Sequence, residues 1–283
     1  MSTAALAVDP ARPRPGADPA KGLLPATGKL WFLVAVAGQW TFVWYMLGVY
    51  GHAVATWNFD PLAARSKEML KGFIPGDPVG DTVFVAHVLM AAVLTFGGTL
   101  QLMPWIRARV PALHRWTGRV FLATATGAAL AGLWMQWVRG ARADPISDIG
   151  PTLDAVLILL FCALTLRAAL AKDFDTHRRW AMRTFMVVNG VWFLRVMIIV
   201  LMLGNHALGL PKQGLDGPLF RFASFASYLI PLGVLELYQF AKARGGPGLR
   251  RATAALIVVA TLAMGAGIVL AWLFMWSPVL AKS

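Results

Sequence analysis

Apolar residues fill seven long, nearly unbroken stretches of this chain, and the short segments between them hold most of the charge. The hydrocarbon core of a bilayer is about 30 Å thick, so a spanning helix needs about 20 mostly apolar residues. Seven windows meet that length: 30–51, 82–104, 116–138, 152–171, 180–203, 219–240 and 252–276. Their apolar positions are continuous rather than alternating, which predicts helices and not a barrel. The expected fold is all-α, a polytopic membrane helical bundle of about seven transmembrane helices. Six spans is the alternative, should one weak stretch fail.

Composition narrows the class further. The 283 residues are 58% hydrophobic and 14% charged, against about 45–50% and about 25% in an ordinary soluble domain. A soluble chain of this length still needs a polar shell, so this balance excludes a soluble enzyme, a disordered protein and a disulfide scaffold. The single cysteine, Cys162, lies inside an apolar run. It cannot form an intrachain disulfide or a multi-cysteine metal site, and reads as a buried structural thiol.

A net charge of +13 would point to nucleic acid in a soluble protein. Here the basic residues sit between apolar runs, so the lipid bilayer is the expected partner and nucleic acid is not. Seventeen of the 26 Lys and Arg fall in the N-terminal segment and in the loops after spans 2, 4 and 6. Eight fall on the opposite side, and Arg195 lies inside the fifth span. By the positive-inside rule the N-terminus is cytoplasmic. Residues 1–28 are polar and proline-rich and lack the apolar core of a cleavable signal peptide. They read as a disordered cytoplasmic tail, followed by a membrane domain over 29–280 whose first span acts as an uncleaved anchor. The longest connection, 54–80, contains PLAARSKEMLKGFI at 61–74, which suits either a short interfacial helix or a solvated loop.

Spans 3 and 5 begin alike, with HRWTGRVF at 114–121 and HRRWAMRTF at 177–185. Such an echo arises by duplication of a two-helix unit, or by convergence on the Trp and Arg anchors that suit any interfacial helix start. It sets His114 and His177 on parallel helices at one depth, an arrangement suited to axial ligation of a b-type haem, with Arg115, Arg178 and Arg179 as partners for propionates. The other reading makes both histidines interfacial residues that bind headgroups or cap helices. His87 lies inside span 2, about 8–10 Å from its boundary, and Arg195 lies about 12 Å deep at the same end. Intramembrane ionisable groups are costly and generally face a bundle interior. His87 and Arg195 therefore outline an intramembrane polar site, with Asp154 at the start of span 4 as a partner for Arg195, or else a packing salt bridge. Thr124, Ala128 and Gly132 form a ridge of small residues on span 3, suited to close packing or to a flat cofactor. The sequence holds no phosphate-binding loop, HExxH zinc helix, nucleophile elbow or CxxC pair.

His87, HRWTGR at 114–119 and THRRWAMRTFMVVNGVWFLR at 176–195 together resemble a bacterial membrane-protein family, domain of unknown function 2306, over roughly residues 81–200. The spacing of histidines is distantly similar to that of transmembrane b-type cytochromes of the cytochrome b-561 kind. The family resemblance implies a four-helix core over 81–203 with two additional spans over 219–276, and the cytochrome similarity implies an inner haem between His114 and His177. His87 would be a metal ligand of an outer haem, but span 4 carries no histidine to complete that pair. The expectation is thus a multipass protein of the bacterial cytoplasmic membrane that binds haem b and passes electrons from a quinol or another redox partner. Two alternatives stay open. One is a non-catalytic membrane subunit or assembly factor, working in a homo-oligomer or larger membrane complex; the other is a small-molecule or proton transporter using His87 and Arg195.

Overall fold

The computed structural model describes residues 19–65 and 71–281. Among these residues there is no strand, and seven helices are long and apolar enough to cross a membrane. The first is α1 (Pro19–Met46), which continues through a widened π turn (Leu47–Gly51) into α2 (His52–Thr56). A short α3 (Asp60–Ala64) follows, then α4 (Pro78–Leu102), α5 (Pro104–Arg109), α6 (Pro111–Trp137) and α7 (Pro145–Leu170). The fifth span is divided into α8 (Phe174–Val188) and α9 (Gly190–Ala207). The chain closes with α10 (Pro218–Arg244), α11 (Pro247–Ala271), a second π turn (Trp272–Trp276) and α12 (Ser277–Leu280).

Most of these helices begin before the apolar windows do, and proline explains why. Pro78, Pro111, Pro145, Pro218 and Pro247 each open a spanning helix, where the missing N–H goes unused and the fixed φ already suits the helix. A hydropathy window passes over these polar first turns. The same effect corrects the N-terminal boundary: residues 19–28, expected in the tail, belong to α1. The rest of that tail, 1–18, lies outside the described residues, as do 66–70 of the long connection. Over 61–74, open to either a short helix or a loop, the described residues are helical only in α3 and non-helical over 71–74.

The spans form a ring in which α4 packs on α1 and α6, α6 on α7, α7 on α10, and α11 on α10 and α1. The broken fifth span runs through the middle. Gln39 of α1 donates to Asn189 between α8 and α9, and Thr165 of α7 bonds Thr184 of α8. Gly98 of α4 lies so close to Phe121 and Phe185 that a Cβ there would come within 3.1 and 3.2 Å of them. Arg183 of α8 makes two bonds, 2.6 and 2.7 Å, to Glu236 of α10. On the far side, a Cβ at Gly267 of α11 would stand 2.6 Å from Val196. Trp192, Val187 and Phe185 are almost wholly enclosed.

The division of the fifth span has a local cause. Asn189 leaves helical geometry at φ −90°, ψ 9°. Its side-chain amide donates to the Phe185 carbonyl at 2.8 Å, while its oxygen accepts from Gln39 at 3.0 Å. The Phe185 carbonyl, which also accepts the Asn189 backbone N–H at 3.3 Å, thus takes two bonds at the break, and the Asn189 side chain is satisfied inside the bundle, where an unpaired polar group is expensive.

The two ends of the bundle differ in charge. The end carrying the connections 57–77, 138–144 and 208–217 pairs three of its arginines with carboxylates. Arg139 bridges Asp77 and Asp81 at 2.7 Å each, Arg142 meets Asp148 at 2.7 Å, and Arg221 meets Asp144 at 3.1 Å. Asp77 and Asp144 also cap α4 and α7. The backbone N–H of Gly80, then Arg139, holds Asp77 below the ordinary carboxylate value of 3.8. The Ser147 hydroxyl, with backbone N–H groups and Arg221, does the same for Asp144. The opposite, basic end carries the connections 103–110, 171–173 and 245–246, and its cations largely lack carboxylate partners; Arg183–Glu236 is the ion pair among its described residues.

Candidate functional site

The intramembrane residues singled out in the sequence meet in one place. A cavity of about 340 Å³ lies between α1, α4, α6, α7 and the break of the fifth span, and His87, Asp154, Asn189 and Arg195 all line it. It reaches from Leu94 and Val188 in the middle of the bundle to Ala141 and Ala143 in the connection that follows α6.

His87 is held by the small residues of α6. Its Nδ1 is 3.0 Å from the Ala128 carbonyl, and a carbonyl only accepts, so Nδ1 carries a proton and, in the neutral ring, Nε2 keeps its lone pair. A Cβ at Gly132 would lie 3.4 Å from the imidazole. The ridge of Ala128 and Gly132 is therefore a seat for His87. Arg195 sits beside an aromatic wall, its guanidinium carbon 5.7 Å from the centre of the Phe42 ring. Tyr45 stacks on Trp276, Phe42 meets Trp276 at a tilt, and Tyr50 meets both Tyr45 and Phe84 edge-on.

The expected Arg195–Asp154 pair does not form: no ion pair within 4.0 Å joins them. Arg195 Nε and Asp154 Oδ1 are both enclosed without a hydrogen-bond partner. The other Asp154 oxygen rests against Gly190, where a Cβ would stand 2.6 Å from it. The Tyr228 hydroxyl is also enclosed and unpartnered, and its Cβ would lie 3.3 Å from that same added atom. Buried polar atoms are nearly always bonded, so such a cluster calls for a physical account.

The depth match between His87 and Asp154 follows from a repeat that the sequence reading missed. Asp77-Pro78-Val79-Gly80-Asp81 opens α4, and Asp144-Pro145-Ile146-Ser147-Asp148 opens α7. In each, the first Asp caps the helix and the second accepts a backbone N–H from the preceding connection, Ile74 in one case and Ala143 in the other. His87 and Asp154 each fall ten residues after the capping Asp, hence about 15 Å along their helices. Phe84 and Pro151, Val88 and Ala155, and Ala91 and Ile158 correspond in the same way, and all line the cavity. The echo at the basic end belongs to the same pattern. Arg119 stacks on Trp116 at 5.1 Å and Arg183 on Trp180 at 4.7 Å, while Phe121 and Phe185 converge on Gly98. The hairpins α4–α6 and α7–α8/α9 thus share one motif at each end, the pattern expected of a repeated unit.

The residues expected to hold haem lie outside this cavity. His177 Nδ1 bonds the Thr165 carbonyl at 3.0 Å, leaving Nε2 open. His114 lies close enough to His177 for their charges to interact, and its Nδ1 is enclosed without a partner. Neither histidine, nor Arg115 or Arg179, lines this cavity or the second one across the fifth span, whereas Arg178 lines the second. The remaining histidines, His52 and His206, are likewise outside the His87 cavity. Among the described residues no three His, Cys, Asp or Glu side chains cluster as a metal site. Cys162 is free and buried, as expected.

Gln39, Asn189 and Tyr228 were not singled out in the sequence. Their signal was an uncharged polar side chain within an apolar run, which hydropathy averages away. A membrane-embedded helical bundle with ionisable side chains around an internal cavity defines a multipass membrane protein. Residues 84–211 match the model of a family described as predicted membrane protein (DUF2306). The matched stretch includes His87, His114, Asp154, His177, Asn189 and Arg195, while α1, α10 and α11 lie outside it. No curated protein and no solved structure matches the chain. The similarity to cytochromes b-561 finds no support in the match.

Proposed function

We propose that the protein is a membrane carrier that takes a small polar solute into the cavity around Arg195. The observation behind this reading is the pair of opposite ionisable groups, Arg195 and Asp154, that share one enclosed space without meeting. A guanidinium stays charged in any protein setting, and a charge at membrane depth needs a partner. A solute with an anionic group fits Arg195, and its hydrogen-bond donors fit Asp154 and the Nε2 of His87. The motif shared by the two hairpins supports the same reading. A purely structural role for these residues fits less well, because the packing salt bridge it requires is missing. With the basic end taken as cytoplasmic under the positive-inside rule, the cavity reaches toward the outer face.

The test is thermal unfolding of the purified full chain in detergent against a panel of small carboxylates, hydroxy acids and amino acids. The expected result is that at least one class raises the unfolding temperature of the native chain and leaves Arg195→Gln unmoved. Equal shifts in both proteins, or none across the panel, contradict the reading.

A second reading keeps haem at His114 and His177, favoured by the open Nε2 of His177 and the proximity of the two rings. Haem would bring one-electron chemistry; the two imidazoles would ligate it and Arg115, Arg178 and Arg179 would face its propionates. A reduced-minus-oxidised spectrum of protein from haem-sufficient cells decides it. A Soret shift lost in His114→Ala or His177→Ala supports the haem, and a colourless, folded preparation removes it.

A further inference from the structure

Across the fifth span from the polar cavity lies a second space of about 610 Å³, between α1, α9, α10 and α11. Phe193, Val196 and Met264 are typical of its walls. Its charged lining consists of three cations and no carboxylate: Lys29 of α1, Arg178 of α8 and Lys242 of α10. All three belong to the basic end of the bundle. None takes part in an ion pair among the described residues. Tyr238 stands among them, with the Lys242 ammonium 5.8 Å from its ring centre. The ring is close enough to α1 that a Cβ at Gly28 would lie 3.3 Å from it. From this cluster the apolar wall continues along the fifth span to Leu201, on the order of 30 Å from Arg178 at the helical rise.

We infer that this cavity binds an anionic phospholipid from the surrounding bilayer. Lys29, Arg178 and Lys242 hold its phosphate, and an acyl chain lies along α9 against α10 and α11. Charge complementarity carries the assignment: three cations converge on the rim without a counter-ion, and everything beyond them is apolar. Basic pockets between spanning helices are suited to anionic headgroups. A neutral lipid would leave the three cations unmatched, and a small soluble anion would leave the long apolar wall uncovered. This inference is independent of the carrier reading, since it uses the opposite face of the fifth span.

The full chain is reconstituted in nanodiscs of equal phosphatidylcholine and phosphatidylglycerol, released into mild detergent and weighed intact to count the lipids it retains. The native chain is expected to retain phosphatidylglycerol in preference to phosphatidylcholine. The combined variant Lys29→Gln, Arg178→Gln, Lys242→Gln should lose at least tenfold of that preference. Arg107→Gln, Arg109→Gln, Arg119→Gln, which removes equal charge elsewhere at the basic end, should keep it. Ala260→Phe, which obstructs the apolar part, should lower retention with the cations intact. Unchanged preference in the first variant overturns the inference, and so does equal loss in the second, which would indicate diffuse surface charge. Displacement of phosphatidylglycerol by equimolar oleate would overturn the phospholipid assignment in favour of a single-chain acid.

Discussion

The two cavities lie against opposite faces of one span, and they ask for different occupants. Asn189, Trp192 and Arg195 face the smaller space, whereas Phe193, Val196, Met197 and Val200 face the larger. Both sets recur at intervals of three or four residues, the spacing that keeps side chains on one helical face. The larger space carries its charge only at the rim, at a level where lipid phosphates supply the counter-ion. The smaller carries charge at membrane depth, where no headgroup reaches. Position along the membrane normal, and not the count of charged residues, therefore separates a lipid site from a solute site.

The comparison can be broken most severely at the partition itself. Asn189→Leu removes the acceptor for Gln39 and a second donor to the Phe185 carbonyl, inside a bundle where Gln39 is fully buried. A buried donor left unpaired costs about 1–3 kcal/mol. The variant should be less stable by about that amount in a reversible denaturation series, and both ligand responses should weaken together. A loss confined to the solute response would mean that Asn189 belongs to one cavity alone.

A smaller effect sharpens the account of the polar side. Because Arg195 and Asp154 form no ion pair, the double-mutant cycle of Arg195→Gln and Asp154→Asn, measured without solute, should give a coupling below about 0.5 kcal/mol. A coupling of about 1 kcal/mol or more would show that the two side chains meet directly.

The smallest expected effect concerns the carboxylate-paired end that surrounds the mouth of the smaller cavity. Asp77 and Asp144 have folded values depressed below 3.8. Their stabilising contribution is thus fully present above the unfolded value of about 3.9 and fades as pH falls through the lower folded one. These two groups should therefore leave the unfolding temperature independent of pH between pH 5 and 8, and it should decline below about pH 4. Arg139→Gln should reduce that acid-range decline; an unaltered pH profile in the variant would count against the role of the Arg139 clamp.

The bundle was readable because each span is a continuous apolar run. Its boundaries were not, since Pro78, Pro111 and Pro145 start helices with residues that hydropathy scores as loop. His87, Asp154 and Arg195 stood out because ionisable residues are rare at such depth, and the structure gathers all three. That they gather without pairing depends on side-chain directions across three helices, which no spacing encodes. The repeat of Asp-Pro-x-x-Asp before α4 and α7 was legible in principle. It sits in connections whose charge was counted only for orientation, although it fixes the common depth of His87 and Asp154. Asn189 was hidden differently: one amide in a long apolar run changes the helix without changing its mean hydropathy.

The contrast between the cavities is tested most directly by thiol access, which the single buried Cys162 makes practicable. In a Cys162→Ser background, Ala91→Cys places a thiol in the smaller cavity and Ala260→Cys places one in the larger. A charged, membrane-impermeant thiosulfonate applied in oriented vesicles from the side opposite the basic end should modify Ala91→Cys and leave Ala260→Cys intact. An unreactive Ala91→Cys, or equal modification at both positions, would contradict a polar cavity separated from a lipid-filled one by the fifth span.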